Sequence, residues 1–127
     1  MSRLTVFVVE DSETIRQNLI ATLEELAPVD VVGYADDADG AIAKLVLDPP
    51  PCDLAIIDVL LRRGSGVDVL KALRTREARP RCVVLTNYAT TLIRDHCLAL
   101  GADRVFDKSA EVESLLEYCE TLAQARA

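Results

Sequence analysis

The chain has 127 residues, 50% of them hydrophobic, which is enough for one domain with a single core. Its net charge of −7 argues against nucleic acid as a direct partner, because phosphate binding needs an excess of Lys and Arg. The apolar runs are too short to cross a membrane and the N-terminus lacks the apolar core of a signal peptide, so we expect a cytoplasmic protein without a membrane partner.

The first strand and the first helix have clear patterns. The continuous apolar stretch Leu4–Val9 predicts a strand that is covered on both faces. Ser12 is the expected N-cap of the helix that follows, with Arg16 on its outer face. Apolar residues at helical spacing predict the inner face of this helix: Ile15, Leu19, Leu23 and Leu26.

Four further strands are predicted, and a strand begins roughly every 25 residues. They cover residues 29–34, 53–58, 81–86 and 104–106, and the first of these suits a sheet edge because it carries Asp30 and follows a proline. The second helix should begin at Asp36 or Asp37 and stop at Pro49–Pro51, and Ser109 should cap the last helix. This alternation predicts one α/β domain with a five-stranded parallel sheet and helices on both faces.

The cysteines show no metal-binding CxxC spacing. They are Cys52, Cys82, Cys97 and Cys119. In a chain without a secretory signal, we expect reduced thiols that are mostly buried.

Polar residues gather where the predicted strands end. Right-handed crossovers place the carboxyl ends of all five strands along one rim, where ligands bind in open parallel sheets. Glu10 and Asp11 end the first strand and Asp58 ends the third, so three carboxylates share a pocket if these strands are neighbours. Thr86 ends the fourth strand and Lys108 follows the fifth.

Such a pocket predicts phosphoryl chemistry. Two like charges about 4 Å apart repel by roughly 4 kcal/mol at an effective dielectric of about 20, and Lys108 alone cannot balance three acids. Either protonation or a divalent cation is needed, and hard oxygen ligands favour Mg²⁺, with Mn²⁺ as a substitute. A bound cation would attract a phosphoryl donor, and Asp58 is then the natural nucleophile. Lys108 would offset charge on the transferring oxygens, and Thr86 would donate its hydroxyl to them.

Several motifs stand at the strand ends in a fixed order. They are Glu10-Asp11, Asp58 with Gly66 eight residues later, Thr86, Gly101-Ala102-Asp103 and Asp107-Lys108. This ordered set resembles the receiver domain of two-component response regulators over essentially the whole chain. The resemblance implies a flavodoxin-like (βα)5 fold with strand order 2-1-3-4-5, in which the first and third strands are neighbours.

The resemblance also implies roles for the acids at the rim. Asp58 is expected to accept a phosphoryl group from a histidine kinase or a histidine phosphotransfer protein. Asp11, Asp58 and the backbone carbonyl of Leu60 are expected to hold Mg²⁺, and Glu10 to contribute through water. The chain is then a phosphoacceptor and not an enzyme in the ordinary sense.

The same resemblance implies a switch with a protein as its output. Thr86 is expected to move toward the phosphoryl group, and Lys108 to pair with it. A downstream protein would read the face made by the fourth helix, the fifth strand and the last helix. Because the last helix is predicted to run nearly to Ala127, we expect a stand-alone receiver over residues 1–127 without an output domain.

The chain departs from the usual receiver pattern near the lysine. Val105 stands where the family usually has an aromatic residue, so Phe106 and Tyr88 are the candidates to replace the aromatic half of the switch. Ser109 stands where proline is usual, and a cis bond before a non-proline residue costs roughly 3–4 kcal/mol. The sequence leaves the isomer of the Lys108–Ser109 bond open, with a trans bond and a displaced loop as the alternative to the family's cis bond.

Two alternative functions follow from these departures and from the nucleophile. The chain could be a binding module that keeps the fold but works without phosphate. It could instead be a phosphohydrolase with an aspartyl-phosphate intermediate, although the usual pattern of that class has a second Asp at the position of Leu60. Turnover of a phosphoester, or a partner that binds independently of Asp58, would distinguish these alternatives from the switch.

Overall fold

The computed structural model describes residues 3–47 and 52–126 of the chain. Strands and helices alternate along these residues, and a π-helical turn extends the second helix. The elements are β1 Leu4–Val9, α1 Glu13–Leu26, β2 Val29–Ala35, α2 Ala38–Ile42 with its π-helical turn Ala43–Leu47, β3 Leu54–Ile57, α3 Gly66–Leu73, β4 Arg81–Thr86, α4 Thr91–Ala99, β5 Arg104–Asp107 and α5 Val112–Arg126. The predicted stop of α2 at Pro49–Pro51 lies outside the described residues.

The strands form one parallel sheet in the order β2-β1-β3-β4-β5, which confirms the predicted fold class and the edge position of β2. β1 and β3 are neighbours, and Val9 pairs with Ile57 at their carboxyl ends. The residues that follow these two, Glu10 and Asp58, therefore leave the sheet side by side.

A hydrophobic layer covers each face of the sheet, because successive side chains of a strand point to opposite sides. In β1, Phe7 packs with the layer under α2, α3 and α4, whereas Val8 packs with the layer under α1 and α5. In β5, Val105 belongs to the first layer and Phe106 to the second. Both faces are thus covered, as a continuous apolar first strand predicts.

The outer face predicted for α1 is wrong at Arg16. Only 7% of this residue is exposed, while Ile15 and Leu26, which the pattern placed inward, are 41% and 63% exposed. Arg16 Nη1 donates to the backbone carbonyl of Glu10 at 2.8 Å, and its guanidinium lies 4.2 Å from the ring centre of Tyr34. A carbonyl partner and an aromatic face offset the cost of burying this charge.

Two of the three predicted N-caps agree with the structure. Ser12 caps α1 by accepting from the Ile15 amide at 3.3 Å, and Asp37 caps α2 by accepting from the Gly40 amide at 2.7 Å. Gly101, with φ of +101°, follows the end of α4, as expected of a glycine in the left-handed region.

The prediction that Ser109 caps α5 is wrong, because the helix begins only at Val112. The backbone amide and the hydroxyl of Ser109 donate to the Asp107 carboxylate at 2.7 and 2.6 Å. Asp107 is the stronger acceptor, so it organises a turn between β5 and the helix. No cis peptide bond occurs in the part of the chain that the structure describes, so the Lys108–Ser109 bond is trans.

The cysteines are all free, and Cys82, Cys97 and Cys119 are buried, as predicted. Burial raises the pKa of the Cys82 and Cys119 thiols to about 12, so both are protonated and unreactive at neutral pH. Across residues 3–47 and 52–126, no helix is long and apolar enough to cross a membrane.

Candidate functional site

The rim acids project from backbone positions that the sheet holds in place. The Asp58 amide donates to the Val9 carbonyl at 3.0 Å, and the Glu10 amide donates to the Ala35 carbonyl at 3.0 Å. Each acid is thus the first residue beyond its strand while its backbone still pairs with the neighbouring strand. The two carboxylates therefore start from fixed and adjacent points at the rim.

Lys108 joins these two carboxylates. Its Nζ lies 2.6 Å from Asp58 Oδ2 and also contacts Glu10 Oε1. The three side chains are largely shielded, with 12% of Lys108, 8% of Asp58 and 3% of Glu10 exposed. The structure thus brings together an ammonium and two acids that lie 50 and 98 residues from it in the sequence.

Burial and hydrogen bonds act in opposite directions on these charges. Burial alone would lower the pKa of Lys108, but its hydrogen bonds to Asp58 and Glu10 outweigh burial, so the net pKa is raised. Burial raises the pKa of Glu10 above its ordinary value of 4.5, and the contacts with Lys108 and the Ser12 amide oppose this only in part. Lys108 is therefore held as a cation, while Glu10 holds a proton more readily than an exposed glutamate does.

Asp58 is fixed through both of its carboxylate oxygens. Oδ2 accepts from Lys108, and Oδ1 accepts from the Leu60 amide at 3.1 Å. Gly66 packs against the backbone of the same residue, since a Cβ on this glycine would lie 2.1 Å from the Asp58 carbonyl oxygen. Only glycine fits this close approach, which explains its position eight residues after the acid.

Thr86 lies at the rim but is not joined to the acids. It is fully buried, and its hydroxyl accepts from the Tyr88 amide at 3.3 Å, while its carbonyl accepts from the Lys108 amide at 3.0 Å. Among the described residues, the Thr86 hydroxyl makes no hydrogen bond to Glu10, Asp58 or Lys108.

Phe106 does not replace the missing aromatic of the switch. It packs on the α1–α5 side of the sheet and makes an edge-to-face contact with Tyr118 at 5.9 Å between ring centres. Val105 holds the β5 position on the α4 side. Tyr88, whose amide donates to the Thr86 hydroxyl, is 58% exposed and stays a candidate.

Asp11 lies on the β2 side of Asp58. It lines a cleft of about 230 Å³ together with Asp36, Asp37, Arg62 and Arg63. The Asp11 side chain is also close enough to Glu10 to contribute to the raised pKa of that carboxyl. Asp11 thus lies beside Glu10, which Lys108 in turn connects to Asp58.

This arrangement is not a preformed metal cage. In the described part of the chain, no three His, Cys, Asp or Glu side chains are close enough together to enclose a metal ion. Mg²⁺, however, commonly keeps several waters and takes only one or two protein carboxylates. The oxygen donors of Asp11 and Asp58 fit a hydrated Mg²⁺ of this kind.

Sequence reasoning missed a second charged pair next to the site. Arg94 donates to the Ala89 and Val105 carbonyls, at 2.9 Å each, and to the Glu111 carboxylate. Glu111 also accepts from the Asp107 amide at 3.0 Å. One signal could have found Arg94, since it lies three residues before the buried Cys97 and so faces the same side of α4.

Comparison with known proteins agrees with this geometry. The family model described as "Response regulator receiver domain" matches residues 6–120. The DNA-binding transcriptional activator DevR/DosR of Mycobacterium tuberculosis (strain ATCC 25618 / H37Rv) is 35% identical over 85 residues, which are 67% of this chain and 38% of that protein. The acid tolerance regulatory protein ActR of Rhizobium meliloti (strain 1021) is 31% identical over 112 residues, which are 88% of this chain and 56% of that protein.

A solved structure shows the same fold. The receiver domain of the Francisella response regulator 1452 matches with a TM-score of 0.84 and 22% identity, over 98% of this chain and 100% of that one. The chain spans between about a third and somewhat over half of the two curated relatives named above. Because the family model covers nearly all of the sequence and the fold agrees, the chain belongs to the receiver domains of two-component response regulators.

Proposed function

We propose that this receiver domain is a phosphorylation-controlled signalling switch that accepts a phosphoryl group on Asp58. The observation that supports this most directly is the Asp58 carboxylate, which is shielded at the end of β3 and held by the Lys108 ammonium and the Leu60 amide. A carboxylate fixed in this way has a defined direction of attack. The donor would be a histidine kinase or a histidine phosphotransfer protein.

In phosphoryl transfer the protein contributes mainly by positioning the reacting groups and stabilising charge. An oxygen of Asp58 forms a bond to phosphorus while the bond from phosphorus to the donor's imidazole nitrogen breaks. The electron pair of the broken bond stays on the nitrogen of the donor. Lys108 stays close to the new acyl phosphate and offsets its charge, since its ammonium already contacts the accepting carboxylate.

Mg²⁺ is the proposed cofactor, with Mn²⁺ as a substitute. Asp11, Asp58 and the backbone carbonyl of Leu60 would hold it, and Glu10 would contribute through water. When bound, the cation offsets negative charge on the transferring oxygens. Lys108 cannot do this alone, since its ammonium is shared between Glu10 and Asp58.

The switch would act through Thr86 and the face formed by α4, β5 and α5. The Thr86 hydroxyl accepts only one amide in the unphosphorylated protein, so it can turn and donate to a phosphoryl oxygen. Its carbonyl accepts from the Lys108 amide, so the β4 and β5 ends are joined when this happens. A downstream protein would read the resulting arrangement of that face.

Incubation with acetyl phosphate and Mg²⁺, followed by intact-protein mass spectrometry, tests this function. Mass spectrometry is the suitable readout because the chain has no tryptophan to report on the site by fluorescence. We expect the wild-type protein to gain one phosphoryl group and Asp58→Asn to gain none. An unchanged wild-type mass, or an equal gain in Asp58→Asn, would contradict the proposal.

A second candidate is a binding module that works without phosphate. It is favoured by the position of Phe106 on the far side of the sheet, which leaves no β5 aromatic beside α4. The two candidates differ in the role of Asp58. A partner that binds wild type only after phosphorylation supports the switch, and a partner that binds Asp58→Asn equally well supports the module.

A further inference from the structure

Arg94 connects α4 to the turn that carries Lys108. Its guanidinium donates from Nε to the Ala89 carbonyl, from Nη1 to the Val105 carbonyl and from Nη2 to Glu111. These acceptors belong to the loop before α4, to β5 and to the turn after β5. One side chain therefore fixes three segments, with the guanidinium fork setting their relative directions.

Glu111 carries this connection toward the site. The same Oε1 that meets Arg94 accepts from the Asp107 amide at 3.0 Å, and the Glu111 amide donates to the Asp107 carbonyl at 2.8 Å. Asp107 directly precedes Lys108, whose own amide is bonded to the Thr86 carbonyl at 3.0 Å. Hydrogen bonds between Asp107 and Glu111 thus close the turn 107–111, and the bond from Lys108 to Thr86 attaches this turn to β4.

This pair differs from an ordinary surface ion pair. Exposed pairs contribute little to stability, since water competes for both charges. Here each side chain is only 34% exposed, and each also bonds to backbone groups of a different segment. Its principal effect should therefore be to hold the geometry of the turn.

We propose that Arg94 and Glu111 are positioning residues for Lys108, and that they make the placement of its ammonium depend on the position of α4. This inference rests on the proposed function, because the placement of Lys108 matters for phosphoryl transfer to Asp58. Val105 takes part through its backbone carbonyl, so the connection does not need an aromatic side chain at that position. Since coupling between two sites is reciprocal, a partner that moves α4 should change the phosphorylation rate, and phosphorylation should change α4.

The first experiment needs no phosphorylation. Amide hydrogen exchange at Asp107 and Lys108, together with the Lys108 side-chain resonances, is measured by NMR in wild type, Glu111→Ala and Arg94→Ala. We expect faster exchange at both amides and shifted Lys108 resonances in the two variants. Glu113→Ala and Arg79→Ala, exposed residues with no side-chain bond to this turn, serve as matched controls and should behave as wild type.

Conservative variants separate positioning from a general loss of structure. Glu111→Gln keeps an oxygen that can accept from Arg94 and from the Asp107 amide, so we expect near wild-type behaviour. Arg94→Lys keeps the charge, but one ammonium cannot donate in three directions, so we expect it to behave as Arg94→Ala. Both variants change the structure so little that they should fold even where an alanine variant does not.

The second experiment measures phosphorylation by acetyl phosphate at several donor concentrations. Glu111→Ala, Arg94→Ala and Arg94→Lys should lower the maximal rate by about tenfold, which corresponds to roughly 1.4 kcal/mol. The donor concentration at half-maximal rate should stay unchanged, because neither residue bonds to Asp58 or lines the cleft at Asp11.

The outcomes are distinct from those that test the proposed function. If wild type never takes up a phosphoryl group, the proposed function fails, and the NMR comparison alone decides whether the pair positions Lys108. If wild type is phosphorylated but Glu111→Ala and Arg94→Lys match the controls in exchange and in rate, the positioning role is overturned. Equal loss in Glu111→Gln and Glu111→Ala would overturn it as well.

Discussion

Gly66 packs very closely against the backbone of Asp58, the proposed phosphoacceptor. Its amide donates to the Val59 carbonyl at 2.9 Å, and an added Cβ would lie 2.1 Å from the Asp58 carbonyl oxygen. We predict that Gly66→Ala lowers the free energy of unfolding by about 1–3 kcal/mol, because the backbone must shift to admit the methyl group. Urea unfolding measures the loss, and the phosphorylation rate should fall with it as Asp58 is displaced.

Gly40→Ala is the matched control for this substitution. Its added Cβ would lie 2.9 Å from the Asp37 side-chain oxygen that caps α2, so a small shift weakens this cap, whereas alanine itself favours the helix. We expect a smaller change in stability than for Gly66→Ala. Equal losses in the two variants would show that the contact with the Asp58 carbonyl has no special effect.

Lys108 is the residue on which the charge of the site depends. Replacing it with methionine leaves Glu10 and Asp58 shielded and without their shared cation. Removing one partner of a fully buried pair costs about 3–5 kcal/mol, and water that reaches the rim should make the loss smaller here. We therefore predict that Lys108→Met is less stable than wild type in EDTA and that excess Mg²⁺ restores part of the loss.

Thermal unfolding with EDTA and with Mg²⁺ measures this difference. Lys71→Met, an exposed lysine of α3, is the control and should respond to Mg²⁺ as wild type does. A cation bound by Asp11 and Asp58 would take over the role of the missing ammonium. If Mg²⁺ stabilises wild type and Lys108→Met equally, the cation does not replace the missing ammonium; if it stabilises neither, the rim acids do not bind it in the proposed way.

At the scale of single elements, the strands were more predictable than the contacts of the helices. A run such as Leu4–Val9 is apolar because both of its faces are covered, and an acid directly after such a run has to be at the rim. Asp58 could therefore be located from its strand alone. The neighbouring position of β1 and β3 came from the family resemblance and not from any pattern in the residues.

Charged side chains that bond to backbone carbonyls could not be located in this way. Arg16 and Arg94 both lie inward, but their partners are carbonyl groups of Glu10, Ala89 and Val105. Every residue has a carbonyl group, so the sequence does not mark the partner. The prediction that Ser109 caps the last helix was wrong for a related reason. Serine is a favourable N-cap residue, but here its hydroxyl donates to Asp107, which is the stronger acceptor.

The ion pair between Arg94 of α4 and Glu111, the residue before α5, should make the stability of the protein depend on pH with a known sign. The hydrogen bond from Arg94 lowers the pKa of Glu111 below its ordinary value of 4.5. A carboxyl with a depressed pKa in the folded state contributes stability above the pKa of the unfolded chain, and this contribution is lost as the pH falls through the folded pKa. We predict that wild type loses more stability than Glu111→Gln between about pH 7 and about pH 3.

Urea unfolding at the two pH values tests this prediction. Glu113→Gln removes an exposed carboxyl from the first turn of α5. Glu113 makes no ion pair within the described residues, so the stability of this variant should vary with pH as that of wild type does. A Glu111→Gln profile parallel to that of wild type would mean that the Arg94–Glu111 pair does not persist in solution.

At the scale of the whole molecule, one set of hydrogen bonds connects Asp58, the proposed phosphoacceptor, to an outer face. Asp58 contacts Lys108, the Lys108 amide bonds to the Thr86 carbonyl, and the turn behind Lys108 is held by Glu111 and Arg94. This set crosses from the rim to α4 without passing through the hydrophobic layers. The strand interiors can therefore stay packed while the rim and the loop before α4 change their arrangement.

Hydrogen exchange measured by mass spectrometry can show where the protein responds to phosphorylation. With acetyl phosphate and Mg²⁺, we predict changes in exchange between residues 86 and 94 and between 104 and 112, and little change in the strand interiors, because the hydrogen-bonded set joins these two segments to Asp58. Asp58→Asn should show no change under the same conditions.

In Arg94→Ala, the change should persist near Lys108 and disappear from the start of α4, since the guanidinium is the link between them. A response of α4 that is equal in wild type and Arg94→Ala would place the connection elsewhere, and a response spread over the whole sheet would mean that phosphorylation alters the core packing.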